Sequence, residues 1–462
     1  MFIGRHAELE QLNALYAEAK FQCVIIWGRR RVGKTTLINE FVKDKPTIYF
    51  TATETTANEN LESFSQAIAF LQHKTINHAP VYKNFEEALQ AVYLAAQDEQ
   101  IVLVIDEYPY LAKAYKPISS ILQKLIDTQF KEHSKLFIVL CGSSMSFMER
   151  QVLGYQSPLY GRRTGQLEIK PFNFYDFKEY YQNFSAEDLA LVYGITGGIP
   201  QYMNFFDDTK SIKDNVIKNF LTPSGYLYEE PENLLKQEMR EPALYNAIIK
   251  AVATGASKSS EIASKVGLET SALANYMDKL LELGIIAKET PIGEKSTRKT
   301  IYSIKDTMFS FWYRFIPTNN MLIQRNRGEF AWKNIEPQLS SYMGHIFEKI
   351  CVDYFWQTYE TLPVFYTQIG RWWGTNPKLK RQEELDILAT DEASAIICEC
   401  KWRNEAVSQE VIDTLLARAQ LLPYQECYYY VFSKTGFSKQ CTDYAEQHDR
   451  IKLISYQELI KA

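Results

Sequence analysis

The chain has 462 residues, 46% hydrophobic and 14% aromatic, which allows several cores and excludes a disordered scaffold. Its net charge of −5 excludes a uniformly basic nucleic-acid binder, so any such contact must come from local patches. No apolar run approaches the ~18 residues of a membrane span, the first residues lack signal-peptide anatomy, and seven cysteines without C-x-x-C spacing point to reduced thiols in the cytoplasm.

Residues 1–170 alternate strand-like and helix-like runs. Strands are expected at Cys23–Trp27, Thr47–Thr51, Ile101–Ile105, Phe137–Cys141 and Gly165–Ile169, with helices at Leu61–Leu71, Phe85–Ala96 and Ile118–Phe130. This rhythm predicts a parallel α/β sheet with helices on both faces. Between the first strand and a helix-like run lies Gly28-Arg29-Arg30-Arg31-Val32-Gly33-Lys34-Thr35-Thr36, which fits G-x-x-x-x-G-K-[ST]. Such a loop turns its backbone N–H groups toward phosphate oxygens, with the positive end of the following helix dipole aimed at the same anion. The whole stretch, Arg31, Val32 and Thr36 included, is therefore assigned to ATP. Lys34 is expected at the β- and γ-phosphates and Thr35 on Mg²⁺.

The apolar run 101–105 ends in Asp106-Glu107. In a parallel sheet, ligands bind beyond the carboxyl ends of the strands. Asp106 is thus placed to hold Mg²⁺ and Glu107 to act as general base toward water. The next strand ends in Gly142-Ser143-Ser144, where a serine either senses the γ-phosphate or caps the following helix. Tyr160-Gly161-Arg162-Arg163 offers two arginines that stabilise transferred phosphoryl charge, in cis or in trans, or else form a solvated basic loop. An arginine acting in trans requires a homo-oligomer.

With these pieces in place, residues 1–235 resemble an ATPase of the AAA+/STAND branch of P-loop proteins, particularly the archaeal and bacterial type. The resemblance rests on Phe2-Ile3-Gly4-Arg5-x-x-Glu8-Leu9, the loop, Val104–Glu107, Gly142–Ser144 and Gly197-Gly198-Ile199-Pro200. It implies that Gly4 and Arg5 lie near the adenine, and that Pro200, in a helical lid spanning 171–235, touches the nucleotide.

Residues 236–306 read as a winged helix: helices at Ala243–Val252, Ser259–Val266 and Thr270–Leu283, then strands Ile285–Glu289 and Thr300–Ile304 joined by a polar tip, 293–299. The third helix starts with Glu269 and carries no arginine at its reading end. Lys295, Arg298 and Lys299, helped by Lys258 and Lys265, offer phosphate contacts. DNA contact and an internal coupling role both fit.

Residues 307–340 form an aromatic-rich connection, and a second α/β unit spans 341–462. Glu383-Glu384-Leu385-Asp386 is followed twelve residues after Asp386 by Cys398-Glu399-Cys400-Lys401. On adjacent antiparallel strands Asp386 and Glu399 share a face, and Glu399 and Lys401 do so by the period of two. Two carboxylates suit Mg²⁺ or Mn²⁺, Lys401 would act on a metal-bound water, and Glu348 on the helix 344–354 supplies a further carboxylate. With the helix 409–420 and strand 428–432, this resembles the PD-(D/E)XK nuclease core. The chain from 307 onward also resembles the domain of unknown function that follows such ATPases, by Phe311-Trp312, Gly344-x-x-Phe347-Glu348 and Ile369–Gly374. Arg371, Trp372 and Trp373 either meet a nucleic-acid strand or pack the core. The resemblance implies an ATP-driven enzyme with a Mg²⁺-dependent nuclease domain acting on DNA, with RNA left open. The alternative is a STAND-type switch whose C-terminal domain only binds a partner.

Overall fold

The computed structural model describes residues 2–73, 81–294, 296 and 299–462. Five parallel strands, β1 (Gln22–Trp27), β2 (Thr47–Thr51), β3 (Val102–Asp106), β4 (Phe137–Gly142) and β5 (Gly165–Glu168), form one sheet in the order β2-β3-β4-β1-β5. Burial follows position. β1, β3 and β4 are buried along their whole length, as continuous apolar runs covered on both faces must be, whereas the edge strands β2 and β5 are buried only in part. One face packs Ile25, Ile105, Leu140 and the helix 85–98; the other packs Val24, Val104, Val139 and the loop helix 34–42. The helix expected at Ile118–Phe130 changes character at Leu125, where a π-helical stretch, Ile126–Phe130, takes over. This first compact unit comprises the residues up to Pro171 together with Ile199–Gln201.

The remaining residues, 172–198 and 202–462, form the second unit. The segment expected to be a lid therefore divides: Pro171 and Ile199–Gln201 cluster with the first unit, and the rest, Gly197 and Gly198 included, with the second. The helix Ala186–Thr196 lies against the helix Leu339–Gln357 at Gly194, where a Cβ would stand 2.9 Å from Met343 Sδ. Tyr342 fastens the same crossing, its single hydroxyl proton shared between the carbonyls of Gly194 (2.7 Å) and Thr307 (2.9 Å). Helices Pro242–Ala253, Ser259–Val266 and Thr270–Glu282 precede an antiparallel pair, β6 (Ile286–Glu289) and β7 (Ile301–Ile304). Lys295 and Arg298 of the tip lie outside the described residues. Lys299 pairs with Glu294 at 2.7 Å, and Lys265 donates to the Thr254 carbonyl at 3.3 Å.

The C-terminal sheet holds β8 (Gln368–Asn376), β9 (Arg381–Thr390), β10 (Ser394–Lys401), β11 (Glu426–Ser433) and β12 (Ile451–Ser455) in the order β12-β11-β10-β9-β8. β10, β11 and β12 run parallel, while β9 is antiparallel to both neighbours. The helix 339–357 covers one face, with Phe355 against Tyr430 and Phe432. The helix Gln409–Ala419 belongs to the other, where Ile412 and Leu415 join Leu388, Ile397 and Val431.

Candidate functional site

The loop after β1 closes on itself through Lys34, whose ammonium donates to the carbonyls of Gly28 (2.8 Å) and Arg29 (2.9 Å). Burial lowers the Lys34 pKa, while the charges of Glu107 and Asp106 oppose that shift. Gly28 admits no side chain, because a Cβ there would meet the Ile169 carbonyl oxygen at 2.3 Å. Arg31 adopts φ 75°, and its carbonyl accepts from Gln201 N–H at 3.4 Å. Pro200 stands over the loop: its Cγ would lie 3.7 Å from a Cβ on Gly33. Arg5 is buried and donates to the carbonyls of Val32 (3.3 Å) and Lys170 and to Glu8 (3.1 Å). Gly4 and Arg5 both have positive φ, 61° and 59°. Arg5 and Pro200 are thus gathered at the loop.

Strand order does the rest. With β4 between β1 and β3, the ends of all three strands adjoin. Thr35 Oγ1 reaches Asp106 Oδ2 at 3.3 Å. The hydroxyl and carboxylate form a hard oxygen pair suited to Mg²⁺. Glu107 adopts φ 53° and accepts from Ser143 Oγ at 2.9 Å. Of the two roles open to the serines, Ser143 thus touches the acid, and Ser144, at the helix cap, makes no side-chain capping bond. Arg162 is directed elsewhere: its guanidinium grips Asp127 through Nε (3.1 Å) and Nη2 (2.8 Å). Arg163 donates to the Leu153 carbonyl at 3.2 Å and lies over the Tyr160 ring. Neither contact involves the phosphate loop. Sequence reasoning passed over Tyr49, which donates to Asp106 Oδ2 at 3.1 Å. An aromatic on an edge strand reads as packing, and nothing in its spacing marks a polar role.

In the C-terminal sheet, Ile387 pairs with Cys398, so Asp386 and Glu399 adjoin one step further along β9 and β10. Asp386 accepts from Cys400 N–H at 2.8 Å. Burial first, then the charges of Glu399 and Glu348, raise its carboxyl pKa to about 7. Glu399 is 7% exposed and is held by Lys401 and by Arg418 Nη1 at 3.0 Å. Arg418 also reaches Glu383 at 3.1 Å. Glu348 turns to His345 (3.1 Å) and Arg371 (3.8 Å). Arg371 further engages Glu289 at 3.6 Å and Glu384, so its guanidinium is ringed by acids. Trp372 packs partly on the core cluster. Among the described residues, no group of three His, Cys, Asp or Glu side chains stands together as a metal-ligand set. Asp386 feels the charges of Glu399 and Glu348, but cationic partners engage Glu348 and Glu399. Arg418 and Glu383 were not anticipated; their only sequence signal is charge on an otherwise amphipathic helix and strand.

The strand, the phosphate loop with its lysine, and the acid pair at the end of β3 define a P-loop ATPase. Residues 2–206 match the ATPase domain predominantly from Archaea, and residues 312–412 match a domain described as archaeal and bacterial proteins of unknown function. An uncharacterized protein of Methanocaldococcus jannaschii is 32% identical over 456 residues, covering 96% of this chain and 98% of that protein. The chain belongs to that protein's family. An uncharacterized ATP-binding protein of the same organism is 49% identical over 45 residues, covering 10% of this chain and 76% of that protein. Among solved structures, the Walker-type ATPase of Pyrococcus abyssi is similar in fold, with TM-score 0.52 and 20% identity over 68% of this chain and 96% of that one. No helix among the described residues is long and apolar enough to cross a membrane.

Proposed function

We propose that the chain hydrolyses ATP at the Gly28–Thr36 loop and that nucleotide state governs a divalent-cation-dependent phosphodiesterase site acting on DNA in the C-terminal sheet. In the first site Lys34 binds the phosphates, and Thr35 and Asp106 would hold Mg²⁺, which neutralises phosphate charge when bound. Glu107 takes the proton of the attacking water, with Ser143 fixing its carboxylate. Gly4, Arg5 and Pro200 border the nucleotide. Arg162 has its guanidinium committed to Asp127, which speaks against a part for it in phosphoryl transfer without a change of partner.

The observation that carries the second half is the meeting of Asp386, Glu399 and Lys401 on neighbouring strands, with the charge of Glu348 close enough to act on Asp386. Buried like charges are costly, and a site that keeps them is a candidate for function. Here Asp386 and Glu399 would hold Mg²⁺ or Mn²⁺, and Lys401 would orient a water toward the phosphodiester. Residues 236–306, as a winged helix, would link the two activities.

A second reading, a nucleotide-driven switch whose C-terminal domain binds a partner, draws support from the cations already seated on Glu399 and Glu348. Cleavage assays separate the two. The purified chain with Mg²⁺ or Mn²⁺ is expected to nick plasmid DNA, and Glu399→Ala and Lys401→Ala to abolish nicking while ATP turnover persists. Intact double-stranded DNA, single-stranded DNA and RNA alongside working ATPase would remove the nuclease reading and leave the switch.

A further inference from the structure

We propose that the Tyr49 phenol is a positioning residue of ATP hydrolysis, holding the Asp106 carboxylate in the orientation that meets the cation beside Thr35. The inference rests on Asp106 being the carboxylate that holds Mg²⁺. The geometry starts from the strand register. β2 lies beside β3 with Tyr49 opposite Val104 and Thr51 opposite Asp106, so the phenol extends toward the carboxyl end of its neighbour. Its oxygen is 3.1 Å from Asp106 Oδ2. The same Oδ2 receives Thr35 Oγ1 at 3.3 Å, and Oδ1 receives the Glu107 N–H at 3.0 Å. These donors, together with the Cys141 thiol, fix a carboxylate that is only 5% exposed.

The donors are not equivalent when a cation arrives. Thr35 would ligate through an oxygen lone pair, so its hydroxyl moves with the metal shell even while its proton donates to Asp106. The Glu107 N–H holds the far oxygen. Tyr49 holds Oδ2 from outside the metal site, with the weaker Cys141 thiol as a further donor to the same carboxylate. A phenol keeps its proton at neutral pH and so serves as a donor there. The ring also packs partly against the cluster of Val104 and Val139, a contact that phenylalanine would preserve.

The test uses the full chain with Tyr49→Phe. ATP turnover is measured against Mg²⁺ concentration at saturating ATP, and binding of a fluorescent ATP analogue is measured in EDTA. The Mg²⁺ needed for half-maximal turnover is expected to rise about tenfold, as for loss of one hydrogen bond to a charged group. Binding in EDTA should stay at the wild-type level. In an Asp106→Asn background, Tyr49→Phe should add nothing further. An unchanged Mg²⁺ requirement, an additive effect in that background, or loss of binding in EDTA would each overturn the proposal, the last by showing that the phenol holds the fold rather than the carboxylate. Asp106→Asn with a wild-type Mg²⁺ requirement would instead overturn the assignment of Asp106, and the role of Tyr49 with it.

Discussion

Ser143, at the end of β4, donates its hydroxyl to the Glu107 carboxylate at the end of β3, 2.9 Å away. Glu107 occupies the left-handed region, φ 53°, which turns the chain sharply after Asp106. The acid is thus held from two sides, by its backbone and by a hydroxyl on the neighbouring strand. Ser143→Ala removes the second hold. Turnover is expected to fall about tenfold, a typical share for a misplaced general base, with the KM for ATP nearly unchanged. Steady-state kinetics check this, and a change confined to KM would contradict it.

Lys34 has two duties that one substitution separates. Its ammonium ties the carbonyls of Gly28 and Arg29 across the loop and is mostly withdrawn from solvent. Lys34→Ala should abolish turnover. Lys34→Arg should keep the charge but not the fit, since a planar fork cannot serve as the same compact point donor. Turnover in Lys34→Arg is expected to stay below a tenth of wild type, roughly the loss of one well-placed charged hydrogen bond. Wild-type turnover in Lys34→Ala would refute the site.

The first sheet was legible because its chemistry and its burial speak the same language. β1, β3 and β4 are continuous apolar runs, and each ends at a residue that matters: Trp27 before the loop, Asp106, and Gly142 before Ser143. The Asp386 and Glu399 pairing was legible for a simpler reason, the period of two in an antiparallel pair. What stayed hidden depends on long-range contact. Tyr49 reads as an edge-strand aromatic until β2 is known to lie beside β3. Arg418 reads as a solvated helix residue until the helix 409–419 is laid over β9 and β10. Arg162 reads as available until Asp127 is found beside it. Spacing shows which residues share a face, but not which distant charge is already satisfied.

Arg418 carries a prediction for stability. It bridges Glu383 and Glu399, which are 5% and 7% exposed, and stands between them as shared counter-charge. Arg381 and Lys401 each compensate only one of the two. Arg418→Met keeps most of the volume and leaves two carboxylates undercompensated. The loss is expected to be about 2–3 kcal/mol, below the cost of a fully orphaned buried charge because one partner remains on each acid. Chemical denaturation measures it. Adding Glu383→Gln to Arg418→Met should recover part of the loss, since one stranded charge is then gone.

Asp353 gives the C-terminal unit a pH dependence whose sign is fixed by its surroundings. The carboxylate accepts from Phe174 N–H at 2.8 Å and Tyr193 OH at 3.0 Å, joining three helical segments, 174–178, 186–196 and 339–357. Burial raises its pKa and outweighs these two bonds, which favour the ionised form. A carboxyl whose folded pKa lies above its unfolded value holds its proton more tightly when folded. Its contribution to stability is full below the unfolded value, about 3.9, and is lost as pH rises through the raised folded value. Denaturation midpoints followed upward from pH 4 should therefore fall more steeply for the wild type than for Asp353→Asn, which stays neutral and still accepts from the Phe174 N–H. Parallel curves for the two proteins would show that Asp353 ionises without cost in the fold.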